Sequence, residues 1–261
     1  MNEGFAGAAL AGVAAADVAP DVPVRILGVP FRGLSYGEAV ARIRDLIHGS
    51  GSHHVVLANA HTVNVACDWP EYRMVLERAS LVLRDGVGVA LGARWLGQPL
   101  PTNFCGTDFV PALLTSIATE RVGIFLYGAA PGVAAAAGRA LVARAPRLRI
   151  EGVVDGYVDP YTVAERVRAA RPDVLLVALG NPLQECWIDA NLAELDARVA
   201  IGVGALFDYL AGRVVRAPQW VRALRGEWLF RLLVEPRRLW RRYVLGNPRF
   251  LWRVLRARER V

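Results

Sequence analysis

Residues 81–88 read LVLRDGVG, a short apolar run that ends in the carboxylate of Asp85 and continues into glycines at 86 and 88. A helical pattern follows from about Ala90. The pattern predicts a buried strand that places Asp85 at the carboxyl edge of a sheet, where open α/β sheets bind ligands. Asp85 is therefore the first candidate for chemistry. The alternative is that its carboxylate only caps the following helix.

A second strand with the same design precedes this one. Residues 53–59 read HHVVLAN, and Asn59 stands at the carboxyl end as Asp85 does on the next strand. Two polar side chains at two such ends converge on one crevice if the strands are neighbours. The sequence therefore predicts a site shared by Asn59 and Asp85.

Outward from these strands, apolar runs alternate with helical patterns. The predicted strands are residues 122–127, 148–154, 173–179 and 199–207, and the predicted helices are residues 70–79, 108–120, 131–145, 162–171 and 182–195. Before them, residues 24–31 read as an extended piece, and a capping box at Ser35 and Glu38 starts a helix that ends near His48. This alternation predicts a Rossmann-like, mostly parallel sheet with helices on both faces.

Charge divides the chain unevenly. The 261 residues carry 31 basic residues, all of them arginine, and residues 213–261 hold 14 arginines against 3 glutamates. We predict three parts: a flexible lead-in over residues 1–22 without signal-peptide character, an α/β catalytic domain over residues 23–215, and a basic helical appendage over residues 216–261. Three cysteines without metal-ligand spacing favour a reducing, cytoplasmic location. The four histidines read as surface or loop residues.

Small residues open two of the predicted helices. One turn runs from Gly128 to Gly132 and the other from Gly180 to Pro182, and a helix start of this kind suits a diphosphate. Each signal is weak by itself because every α/β protein needs such turns. The dinucleotide, P-loop and nucleophile-elbow motifs are missing from the sequence, so those chemistries are not indicated.

Taken together, the motifs resemble the WecG/TagA/CpsF glycosyltransferases over roughly residues 24–250. The most specific elements are Gly-x-Pro-x-Gln-Glu at 180–185, Val-Gly-x-x-Phe-Asp at 203–208 and Glu-Trp-x-x-Arg at 227–231. The resemblance implies transfer of a sugar from a UDP-sugar to a polyprenyl-diphosphate-linked saccharide at the cytoplasmic face of the inner membrane. It implies no cofactor and no metal, which agrees with the lack of an Asp-x-Asp sequence.

The same resemblance assigns roles to residues. It makes Asp85 the catalytic base, Asn59 its neighbour and Gln184 a pocket residue. The remaining substrate-binding positions implied in this way are Gly86, Gly106, Asp108, Gly128, Gly132, Gly180, Pro182, Glu185, Asp208, Arg216, Arg231, Arg237 and Arg238. Three positions depart from the family pattern: Arg84 and Leu183 replace a common Pro and Lys, and Leu57 replaces a Thr found in some members. The last change removes a hydroxyl contact that the family would otherwise suggest.

The appendage interleaves arginines with aromatic and aliphatic residues and holds four of the seven tryptophans. Such a pattern is typical of segments that lie in a membrane interface and are drawn there by anionic lipid. The alternative is that the apolar stripe of the appendage packs on the body of the protein, by which we mean the α/β domain, while the arginines are solvated. Nucleic-acid binding is disfavoured because the rest of the chain is acidic.

The function predicted from these observations is an inverting, peripheral membrane glycosyltransferase that acts in cell-surface polysaccharide synthesis. The sequence leaves the donor sugar open among glucose, N-acetylmannosamine and its uronic acid. It also leaves the oligomeric state open, and a homo-oligomer is one of the alternatives. A competing class is a non-catalytic, lipid-binding scaffold of a polysaccharide assembly complex.

Overall fold

The computed structural model describes residues 22–218, 221 and 226–259, apart from the side chain of Arg238. The predicted lead-in therefore lies outside the described residues, Val22 excepted. The strands are β1 (Val24–Ile26), β2 (Val29–Phe31), β3 (His53–Ala58), β4 (Leu81–Arg84), β5 (Gly123–Gly128), β6 (Arg149–Val154), β7 (Val174–Ala178) and β8 (Val199–Gly202).

Strands β3 to β8 form one parallel sheet in the order β4-β3-β8-β7-β5-β6. Every residue of β5 and β7 is buried, because helices cover both faces of these inner strands. One face packs a core from β3, β4, β5, β7 and β8 against helices on that side, and two further cores fill the other face. The predicted α/β class is confirmed.

The helices follow the strands in the alternating order that the sequence predicts. They are α1 (Tyr36–His48), α2 (Ala60–Asp68), α3 (Pro70–Arg78), α4 (Val87–Trp95), α5 (Gly106–Ile117), α6 (Val133–Arg144), α7 (Pro160–Ala170), α8 (Leu183–Asn191), α9 (Leu206–Leu210), α10 (Glu227–Val234), α11 (Pro236–Trp240) and α12 (Gly246–Arg258). A 3₁₀ turn (Ala118–Glu120) extends α5, and a π-helical turn (Arg241–Leu245) joins α11 to α12.

The capping box that starts α1 is confirmed. The backbone N–H of Glu38 donates to Ser35 Oγ at 3.3 Å, and the backbone N–H of Ser35 donates to Glu38 Oε2 at 2.7 Å. Buried Ala39, Ile43 and Ile47 then face the core at helical spacing.

Two local predictions need correction, and one helix was missed. The extended piece at residues 24–31 is a hairpin of β1 and β2, because Leu27 and Gly28 both adopt positive φ and reverse the chain. Helix α2 was not predicted. The strand predicted at residues 199–207 ends at Gly202, and the chain turns there into α9.

Helix α12 packs on α2 and α4 through its buried side chains Phe250 and Val254. The Phe250 ring lies so close to Gly92 of α4 that a Cβ there would come within 2.8 Å of it. At the same interface Arg253 donates to the carbonyl oxygen of Asn64 at 2.9 Å, and Asn64 Nδ2 donates to the carbonyl oxygen of Gly246 at 2.7 Å. The end of the chain is therefore tied to α2 by apolar and polar contacts.

Among the described residues, no helix combines the length and apolarity that crossing a membrane requires.

Candidate functional site

A cleft of about 1250 Å³ lies at the carboxyl edge of the sheet. The turns that follow β3, β4, β5, β7 and β8 form one wall. Helix α10, the π-helical turn and the start of α12 form the opposite wall. The cleft therefore has one side built by the sheet and one built by the C-terminal helices.

Asn59 and Asp85 lie side by side in this cleft. Strands β3 and β4 are parallel neighbours, with Ala58 opposite Arg84, so the residues that follow them stand at the same edge. The backbone N–H of Asp85 donates to the carbonyl oxygen of Ala58 at 2.8 Å and extends the ladder by one step. The register of β3 and β4 therefore places Asn59 and Asp85 together, as the sequence predicts.

Asp85 does not cap the following helix. The N-cap of α4 is Gly86, and no side-chain cap bond is made there. Instead, Asn103 Oδ1 accepts a hydrogen bond from the backbone N–H of Gly86 at 2.7 Å. Within the described residues, no hydrogen bond or ion pair is made by the Asp85 carboxylate. It is therefore available to a ligand, and the capping alternative is excluded.

Burial raises the pKa of Asp85 to about 6. The guanidinium groups of Arg242 and Arg231 oppose this rise, and the carboxylate of Glu227 adds to it. Loss of solvent disfavours the charged form, and here it outweighs the nearby positive charges. A carboxyl group with this pKa is ionised at neutral pH and is a stronger base than an ordinary aspartate.

Asn59 caps α2, the helix that follows its own strand. Its Oδ1 accepts hydrogen bonds from the backbone N–H groups of His61 at 3.0 Å and Thr62 at 3.2 Å, which starts α2. The hydroxyl of Thr62 accepts the backbone N–H of Asn59 at 3.2 Å in return. These bonds fix the Asn59 amide beside Asp85.

Gln184 and Glu185 are both buried at the base of the cleft. Gln184 Oε1 accepts backbone N–H bonds from Gly180 at 3.2 Å and Gly204 at 3.0 Å, and its Nε2 donates to Glu185 Oε1 at 2.8 Å. The other carboxylate oxygen of Glu185 accepts from Tyr72 at 3.3 Å and Asn181 at 3.0 Å. Burial raises the pKa of Glu185.

The structure brings most of the predicted site residues into the cleft. The lining includes Asn59, Asp85, Gly86, Gly106, Gly180, Gln184, Glu185, Asp208 and Arg231. Gly128, Gly132 and Pro182 are not lining residues. Gly132 and Pro182 are the N-caps of α6 and α8, and the neighbours of Gly128 that line the cleft are Ala129 and Ala130.

Three predicted polar residues whose side chains are described, Asp108, Arg216 and Arg237, are not among the residues that line the cleft. Asp108 and Arg216 form an ion pair with each other and do not line the cleft. Arg237 is exposed on α11, and the side chain of Arg238 lies outside the described structure.

Several lining residues were not assigned from the sequence, and His61, Glu227 and Arg242 are among them. Burial and the charge of Arg242 lower the pKa of His61 to about 4, so its imidazole is neutral at physiological pH. Two sequence signals could have indicated these residues: His61 comes two residues after Asn59, and Glu227 belongs to the Glu-Trp-x-x-Arg motif. Arg242 has no motif of its own.

The described part of the chain contains no group of three or more His, Cys, Asp or Glu side chains placed to hold a metal ion.

A parallel α/β sheet with an available carboxylate in a cleft at its carboxyl edge defines a ligand-binding protein of the open-sheet class, with a candidate catalytic base. Comparison with known sequences narrows this class. Residues 24–261 match the glycosyl transferase WecG/TagA/CpsF family, and the chain belongs to that family.

Two curated relatives carry the same name, N-acetylglucosaminyldiphosphoundecaprenol N-acetyl-β-D-mannosaminyltransferase. The protein from Bacillus spizizenii is 36% identical over 203 residues, which cover 77% of this chain and 78% of the relative. The protein from Staphylococcus aureus is 30% identical over 242 residues, which cover 91% of this chain and 94% of the relative.

Proposed function

We propose that this protein is an inverting glycosyltransferase that moves a hexose-type sugar from a UDP-sugar to a polyprenyl-diphosphate-linked saccharide during cell-surface polysaccharide synthesis. The names of the relatives make UDP-N-acetylmannosamine the first donor to test and a lipid-linked N-acetylglucosamine the first acceptor. A β-linked product formed from an α-linked nucleotide sugar requires inversion.

The proposal rests mainly on Asp85, whose carboxylate has no partner among the described residues and whose pKa is raised. Direct displacement at an anomeric carbon needs a base that takes the proton of the acceptor hydroxyl as the new bond forms. Asp85 has an available carboxylate, a pKa raised to about 6 and a place on the cleft wall. We assign it that role, with Asn59 fixed beside it as a contact for a sugar hydroxyl.

The departing UDP needs positive potential. Helices α6 and α8 begin after the turns that follow β5 and β7, and these turns line the cleft, so the positive ends of both helix dipoles stand on the cleft side of the sheet. Arg231 and Arg242 stand on the opposite wall. These fixed groups support donor binding and departure of UDP without a metal ion.

The acceptor is a lipid, and the C-terminal helices suit a lipid surface. Trp228, Leu233, Trp240, Val244 and Trp252 are each at least 39% exposed, although they are large and apolar. Exposed aromatic and aliphatic residues among arginines favour the interface of an anionic membrane. We place the protein peripherally on the cytoplasmic face of the inner membrane, where nucleotide sugars are made.

The test is an assay of UDP release and product mass with a panel of UDP-sugars. The acceptor is a short-chain polyprenyl-diphosphate N-acetylglucosamine, and the matched control is the same lipid diphosphate without the sugar. We expect release of UDP with the N-acetylmannosamine donor only when the complete acceptor is present. If no UDP-sugar of the panel yields a lipid-linked disaccharide, the proposal is wrong.

A further inference from the structure

The Gln184 amide joins two separate turns of the cleft wall. The turn after β7 contributes the N–H of Gly180, the turn after β8 contributes the N–H of Gly204, and both donate to the same oxygen, Gln184 Oε1. Gly180 and Gly204 adopt positive φ and have no other hydrogen-bond acceptor for these N–H groups among the described residues. The β7–β8 ladder, which ends with the Val203 N–H donating to the carbonyl oxygen of Val177 at 2.8 Å, already brings the two turns together. Beyond the end of that ladder, the Gln184 side chain links them.

Glu185 decides which way that amide faces. Its Oε1 accepts the Nε2 group of Gln184 at 2.8 Å, which leaves Oε1 of Gln184 for the two backbone donors. Glu185 is itself fixed by Tyr72 of α3 and by Asn181. A flipped amide would set Nε2 against two N–H donors and Oε1 against a carboxylate, so the network permits one orientation.

The packing around Gln184 is equally restrictive. A Cβ at residue 202 would come within 2.6 Å of Gln184 Nε2, so glycine at the end of β8 makes room for the side chain. Gln184 is only 5% exposed, and both polar atoms of its amide are engaged by the protein. Little of this group is left for a substrate.

We infer that Gln184 and Glu185 form a positioning pair, which does not contact the substrate but holds the turns after β7 and β8 at the separation that the donor diphosphate requires. This inference rests on the proposed function for the identity of the ligand. It assigns the Gln-Glu motif to the shape of the donor pocket rather than to recognition of the sugar.

The test exchanges the two residues. In Gln184→Glu, a carboxylate oxygen faces the Glu185 carboxylate at the position where Nε2 donated. In the double variant Gln184→Glu/Glu185→Gln, the carboxylate at 184 still accepts from both glycines, and the amide at 185 donates to it while accepting from Tyr72 and Asn181. Every donor again faces an acceptor, and the total charge equals that of the wild type.

Two readouts separate the possibilities. Amide exchange of Gly180 and Gly204 in the unliganded protein, measured with ¹⁵N-glycine labelling, shows whether Gln184 still holds the two turns. We call this link between the turns the clamp, and its measurement needs no substrate. Kinetics report KM for the donor and kcat. We expect Gln184→Glu to speed exchange at both glycines at least tenfold and to raise the donor KM at least tenfold with a smaller change in kcat. The double variant should restore both quantities to within about threefold.

Unchanged exchange in Gln184→Glu would overturn the clamp. Restored exchange with an unrestored KM would overturn the positioning role, because the side chain would then act on the donor directly. A wild type without transferase activity would refute the proposed function alone, since the exchange measurement needs no substrate.

Discussion

Asp85 is half-buried, and no residue of the described structure pairs with its carboxylate. A carboxylate held by an arginine or by backbone N–H groups would have a low pKa and would be a poor proton acceptor. Here Arg231 and Arg242 are close enough to oppose the effect of burial but do not form an ion pair with it. This balance suits a base that works near neutral pH.

Asp85→Asn should lower kcat by about 100- to 10,000-fold, because it removes the proton acceptor and keeps the shape of the side chain. Donor affinity, measured by titration with UDP, should change little. The matched control is Asp45→Asn, which changes an exposed carboxylate on α1 outside the cleft and should leave kcat unchanged. A variant at residue 85 that keeps more than about a tenth of the wild-type rate would show that another group is the base.

The same substitution should stabilise the fold at neutral pH. Because the folded-state pKa of Asp85 is raised to about 6, its favourable contribution is complete below the unfolded pKa and is lost as pH rises through 6. Asp85→Asn avoids that loss, which we estimate at about 1–3 kcal/mol. Urea unfolding of both proteins at pH 8 and pH 4 measures it, and an equal difference at the two values would contradict the raised pKa.

The pH dependence of turnover provides a further check. We expect kcat/KM to rise about tenfold per pH unit below 6 and to level above it, since only the ionised carboxylate accepts a proton. His61, with a pKa lowered to about 4, should add no second step between pH 5 and 8. The residual activity of Asp85→Asn should lack this rise. A midpoint near 4 in the wild type would mean that Asp85 is solvated in the working enzyme.

At the scale of elements, helix α12 has two different faces. Its buried face holds Phe250 and Val254 against α2 and α4, and its exposed face holds Trp252 and Leu255. The alternative that the apolar residues of the appendage pack on the body is therefore correct for the first face only. We propose that the exposed face, with Trp252 and Leu255, binds the membrane.

A pair of substitutions separates the two faces. Phe250→Ala should cost about 3–5 kcal/mol of folding free energy, because it leaves a cavity against Gly92. Trp252→Ala, on the exposed face, should change stability by less than about 1 kcal/mol but weaken binding to anionic vesicles. Thermal unfolding and vesicle sedimentation measure the two effects. Equal loss of stability in both variants would show that α12 has no free face.

At the scale of the whole molecule, the arginines of the appendage are not equivalent. Arg231 and Arg242 line the cleft, Arg249 and Arg253 contact Asp68 of α2, and others are exposed. Among the described residues, exposed arginines that neither line the cleft nor contact Asp68 can meet anionic lipid without disturbing the site. The described exposed arginines that do not line the cleft include Arg237, Arg241, Arg256 and Arg258.

Changing these four arginines to glutamine should weaken binding to anionic vesicles by about 100- to 1000-fold at low salt, since each contributes on the order of 1 kcal/mol near a charged surface. The loss should shrink as salt screens the attraction. The control carries the same number of changes on the body, at the exposed residues Arg121, Arg147, Arg166 and Arg168. If both variants bind as the wild type does, the membrane proposal fails.

The sequence by itself determined the elements and their order. Apolar runs and the Ser35 capping box are local patterns, and the backbone follows them because strand pleating and helix capping depend on near neighbours. The same reasoning placed Asn59 and Asp85 at strand ends. It missed α2 because the cap at Asn59 looked like a site residue rather than a helix start.

Only the tertiary structure decided which strands are neighbours and what surrounds Asp85. The register that sets Ala58 opposite Arg84 makes Asn59 and Asp85 adjacent, and no local pattern encodes strand order. Glu227, Arg231 and Arg242 act electrostatically on Asp85 because α12 packs on α2 and α4 and holds the preceding helices over the cleft. Contacts between residues so far apart in sequence depend on the packing of whole elements, which is why the pKa of Asp85 could not be read from the chain.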